Sequence, residues 1–163
     1  MNELDTEKLF LTCPYAVRYE SNRYTFKTDY DIVYAVSFDK EEFFSPISAY
    51  WFNLTNRSNK PSPNDPKVRQ TVVRIITEFF QANPDILLYM CDSANDQQAQ
   101  RNRLFLRWFS GERQSDMFCI RTAVINDEGT DNFIALIVPR NHKYLKEILN
   151  SFEEETSVFR ESK

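Results

Sequence analysis

This sequence is short of the residues on which many active sites depend. It has two glycines in 163 residues, Gly111 and Gly129. A Walker loop or a dinucleotide fingerprint needs several closely spaced glycines to let the backbone approach phosphate, so neither can be built here. Histidine occurs once, as His142, which excludes any two-histidine metal site. The three cysteines, Cys13, Cys91 and Cys119, form no C-x-x-C pair, so a zinc ribbon and a dithiol redox motif are excluded too. No serine stands in a G-x-S-x-G setting. No apolar run approaches the ~20 residues that cross a bilayer, and the acidic start MNELDTEKLF lacks the apolar stretch of a secretory signal. Together these absences predict a cytoplasmic, soluble protein with reduced thiols, no membrane association and no cofactor.

What is present is aromatic and mildly acidic. Fourteen Phe and eight Tyr supply ample core, and a chain of this length buries roughly two thirds of its unfolded surface. The net charge of −4 argues against a general nucleic-acid binder, which carries an excess of Lys and Arg.

The pattern along the chain predicts one α+β domain over residues 15–163, preceded by a loose segment over 1–14. Tyr24 and Phe26, then Tyr34, Val36 and Phe38, then Tyr50, Phe52 and Leu54, alternate with other residues as half-buried strands do. TDYD at 28–31 suits a hairpin connection. RSNKPSPNDP (57–66) breaks the strand pattern and ends in a helix start. Asp65 can cap free N–H groups, and Pro66 fits the first helical position, where its missing N–H costs nothing. Val68, Val72, Ile75, Ile76 and Phe79 then recur at helical spacing, and ANP at 82–84 stops the helix. ILLYM (86–90) reads as a strand covered on both faces. A second helix is expected over about 95–110, stopped by Gly111. DMFCIRTAVI and NFIALIVP pair around NDEGTDN, and a final amphipathic helix carries Leu145, Ile148, Leu149, Phe152 and Phe159. The predicted order is β-β-β-α-β-α-β-β-α, a mainly antiparallel sheet with three helices.

Chemistry is densest in CDSANDQQAQRNRLFLRWF. At ~100° per residue, Leu104, Phe105 and Trp108 share a face of the second helix, and projecting that face backwards reaches Arg101. A buried guanidinium needs a carboxylate; Asp92, at the end of the preceding strand, and Asp96 are the local candidates. Arg103 and Arg107 flank them at i,i+4. One reading is an internal strut, Asp92 with Arg101, fixing the strand-to-helix corner. The other is a pocket in which Asp92, Asp96, Arg101 and Arg103 serve a metal- or phosphate-dependent enzyme or a nucleotide binder.

The remaining features are plainer. His142, at the start of the last helix, reads as a surface or capping residue, and Cys91 and Cys119 as buried structural thiols. Basic residues gather at 57–74 (Arg57, Lys60, Lys67, Arg69, Arg74) and again at 101–113. They read as solvated helix faces or, if they share a side, as an attractor for an acidic partner. If Tyr50 and Phe52 face the core, alternation turns Trp51 to the other face of its strand, where, unless a helix covers that side, it is exposed as a binding residue; full burial would weaken the binding reading.

YTFKTDYDIVYAVSF, the helix DPKVRQTVVRIITEFF and YMCDSANDQQAQRNRLFLRWF together resemble a family of small uncharacterised Bacteroidetes proteins, a domain of unknown function. The most distinctive positions are Tyr89, Cys91, Asp92, Arg101, Phe105, Trp108 and Phe109. The resemblance runs from about Tyr24 to the last helix. It implies a bacterial, cytoplasmic, stand-alone protein and brings no assigned activity. The functional expectation is a non-enzymatic domain that binds another macromolecule, a protein before a nucleic acid, with a homodimer through a free sheet edge compatible with it.

Overall fold

A computed structural model describes residues 1–42, 47–91, 98–109 and 116–161, with the side chains of all of these except 91, 98–102, 127 and 158–161. The fold is α+β, with the order α1 (Thr6–Thr12), β1 (Arg18–Glu20), β2 (Arg23–Lys27), β3 (Val33–Glu41), β4 (Ala49–Asn56), α2 (Pro66–Ala82), β5 (Ile86–Cys91), α3 (Gln98–Phe109), β6 (Phe118–Asp127), β7 (Thr130–Pro139) and α4 (Leu145–Glu161). The seven strands lie in the sheet order β1-β2-β3-β4-β5-β7-β6. The pairing is mostly antiparallel; β4 and β5, joined through α2, run parallel, with Ala49 opposite Ile86 and Trp51 opposite Leu88.

Two elements exceed the expected order. There are four helices among the described residues, not three, because residues 1–14 contain α1. Seven residues are too few to hold a helix by propensity. A local cap and tertiary contacts hold it instead: Asp5 caps it by accepting from Lys8 N at 2.9 Å, Leu9 is buried, and Lys8 reaches Glu78 on α2. The extra strand, β1, has three residues, all exposed, and so leaves no burial pattern to read.

The chain divides into two compact units, Met1–Asp39 with Phe52–Pro84, and Lys40–Trp51 with Asp85–Lys163. In the first, Asp65 and Pro66 begin α2 as the sequence predicts, the Asp65 side chain accepting from Lys67 N. Val68, Val72, Ile75, Ile76 and Phe79 are all buried. Phe79 stacks on Phe38, their ring centroids 4.6 Å apart, and Phe38 touches Tyr24 and Phe52. An aromatic layer thus joins α2 to the sheet.

In the second unit both faces of the sheet are covered, which is why β5 reads as a continuous apolar run. Ile86 and Leu88 of β5 cluster with Ala123, Ile134, Leu136 and Val138 against Ile148 and Phe152 of α4. On the opposite face Tyr89 stacks on Phe105 of α3. Phe105 and Phe109 are buried there while Leu104 is 45% exposed, so the inward stripe of α3 passes through Phe105 and Phe109 and misses Leu104. β6 and β7 pair along their whole length, from Phe118 with Pro139 to Asp127 with Thr130. The turn between them uses Glu128 and Gly129 at positive φ, 47° and 85°, a conformation glycine adopts without steric cost.

Candidate functional site

The strand-to-helix corner is only partly visible. Asp92 and Asp96 lie outside the described residues, and Arg101 is placed on α3 without its side chain. Arg103 and Arg107 stand exposed on the same helix. Among the described residues no group of three or more His, Cys, Asp or Glu converges as metal ligands would.

Trp51 is half-buried. It lies on the face of β4 opposite Tyr50, as alternation predicts, and that face is covered: Trp51 packs at the margin of the cluster beneath α4, with Leu145 and Leu149. Its indole Nε1 donates to Glu41 Oε2 at 2.5 Å, which satisfies the donor that a half-buried tryptophan must place.

The basic residues at 57–74 are partly neutralised where they stand. Lys67 pairs with Asp29 at 2.7 Å and Lys60 with Asp31 at 3.3 Å. The hydrogen bond from Lys67 holds the Asp29 carboxyl below its usual range, and those from Lys27 and Lys60 do the same for Asp31. These pairs spend charge that a phosphate backbone would require.

Cys13, Cys119 and His142 behave as structural groups, while the side chain of Cys91 lies outside the described residues. Cys119 is buried. Burial pushes the Cys13 thiol up to about 11, leaving little thiolate at neutral pH. His142 precedes α4, its Nδ1 accepting from Tyr144 N at 3.1 Å and its carbonyl from Leu145 N at 3.1 Å. That is a capping role.

Two surfaces were not legible beforehand. One is carried by α1 and β1, where Phe10 is 44%, Leu11 73% and Tyr19 41% exposed. The Arg18 guanidinium sits 5.7 Å from the Phe10 ring centroid. The other is a depression of about 320 Å³ between β6 and α4, lined by Arg121, Thr122, Phe152, Glu153 and Thr156. The sequence signal for the first was the run Lys8-Leu9-Phe10-Leu11 behind a capping Asp5. Four such residues permit several readings.

The fold is α+β, and these surfaces add exposed apolar side chains to it. Residues 64–154 match a family of unknown function, DUF6169, and with more than half of its length covered the chain belongs to that family. The match starts at the cap of α2 and takes in β5 to β7 with most of α4. It leaves out the first strands, where the resemblance began. No curated protein and no solved structure matches the chain. No helix among the described residues is long and apolar enough to cross a membrane.

Proposed function

We propose that this chain is a non-enzymatic domain that binds another protein, and that Phe10, Leu11 and Tyr19 are its contact residues. The observation that supports this is the exposure of Leu11, 73%, on a helix that is held in place. Leu9 of the same helix is buried, and Lys8 binds Glu78 and Gln81 of α2 at 2.6 and 2.8 Å. An apolar side chain presented on a fixed element loses little conformational freedom on binding. Aromatic and arginine side chains, here Phe10, Tyr19 and Arg18, are the types that anchor interfaces.

The test is an affinity purification from lysate of the native host with the tagged wild type and with Leu11→Asp, run side by side. A stoichiometric protein that accompanies the wild type and is lost from the variant supports the reading. Identical profiles for the two remove this surface from it. The Asp92, Asp96, Arg101 and Arg103 corner then becomes the place to titrate Mg²⁺ and nucleotides.

A further inference from the structure

β6 is the outermost strand on its side of the sheet. Its ten residues pair one to one with β7, and among the described residues no strand lies along its other side. An open edge of this length is a template for one more strand unless it is shielded, commonly by charged side chains. Between Phe118 and Asn126 the one charged residue is Arg121.

Register decides whether a second copy fits. Two antiparallel copies related by a two-fold axis through the sheet keep each face on its own side, so opposed residues must have the same parity. Centred on Thr122, the pairing sets Thr122 against Thr122, Ile120 against Val124, Arg121 against Ala123 and Cys119 against Ile125. Thr–Thr and β-branched pairs are favourable cross-strand neighbours, and Arg121 meets no like charge. Centred on Arg121, two guanidiniums oppose each other. Centred on Ala123, Arg121 meets Ile125 and Ile120 meets Asn126. Exposure agrees with the first register: Thr122 is exposed, and Ile120 and Val124 on the same face keep part of their surface open.

We infer that the chain forms a two-fold homodimer by antiparallel pairing of β6 with β6 of a second copy, centred on Thr122. Sedimentation or light scattering up to about 1 mM chain, enough to populate even a millimolar dimer, tests it. The wild type is expected at twice the 19.4 kDa chain mass. Thr122→Lys and Thr122→Glu each oppose like charges at the axis and are expected at single mass, with unchanged circular dichroism because the side chain is exposed. An equimolar mixture of the two is expected to return to double mass, since Lys then opposes Glu. A monomeric wild type overturns the proposal and leaves the edge to a strand of another protein. Charge variants that stay dimeric, or a mixture that stays monomeric, overturn it equally.

Discussion

The ring of Phe105 lies 3.8 Å from that of Tyr89, centroid to centroid, with 17° between their planes. This stack joins α3 to β5. Phe109 extends the contact to Phe118 at the start of β6, 6.4 Å away. Aromatic packing thus anchors the helix on the sheet. Phe105→Ala should cost about 3–5 kcal/mol, the usual penalty for emptying a buried aromatic site. Urea unfolding followed by far-UV circular dichroism measures it. A loss under 1 kcal/mol would mean that α3 is not anchored by this ring.

Lys8 and Glu78 make the corresponding anchor for α1. Their ion pair is 2.6 Å long, and the glutamate side chain is only 11% exposed against 47% for the lysine. Removing the lysine strands a largely buried carboxylate, so Lys8→Ala should destabilise by about 1–3 kcal/mol. Lys8→Ala/Glu78→Gln should regain part of that, because a neutral amide costs less to bury. Two denaturation midpoints decide between them.

Tyr15 gives the first unit an alkaline limit. It is 5% exposed, donates to Asp65 Oδ2 at 2.5 Å and stacks on Phe26. Burial first, and the bond to Asp65 next, push its phenol from 10.0 up to about 12. The unfolded chain therefore releases this proton first. The contribution is complete below pH 10 and is lost as pH rises from 10 to 12. Cys13, raised by burial from 9.0 to about 11, adds a loss of the same sign from pH 9. Thermal unfolding of the wild type should weaken across pH 9–12, and Tyr15→Phe should flatten the upper part of that fall. At pH 7 the same variant should cost about 1.5 kcal/mol for the lost bond to a carboxylate.

These residues also show what the sequence could and could not reveal. Val68 to Phe79 announced α2 because a long amphipathic helix repeats its burial pattern several times, and Asp65-Pro66 marks its start by local chemistry alone. β6 and β7 were legible for the same reason, ten residues each around one turn. α1 was not, because its stability comes from Glu78 and Gln81, some seventy residues away. For the inward stripe of α3, helical spacing alone cannot choose between Leu104 and Phe109. The stack on Tyr89 and the contact with Phe118 make that choice. Alternation puts Trp51 on the face opposite Tyr50, but its partner Glu41 sits on a neighbouring strand, a cross-strand contact that no spacing rule supplies.

That pair separates structure from binding at Trp51. The indole is partly buried against the cluster under α4, and its N–H donates to Glu41. Trp51→Phe keeps the ring contact and removes the hydrogen bond, so it should cost about 1 kcal/mol. Trp51→Ala removes both and should cost about 2–3 kcal/mol, below the full penalty of a wholly buried ring. Neither change touches Leu11 or Thr122, so partner capture and dimer mass should match the wild type wherever the variants stay folded. Denaturation midpoints give the first comparison, and capture with sedimentation the second. Loss of a captured protein by folded Trp51→Phe would move Trp51 from packing to recognition, because the remaining phenyl ring still fills the margin of the cluster.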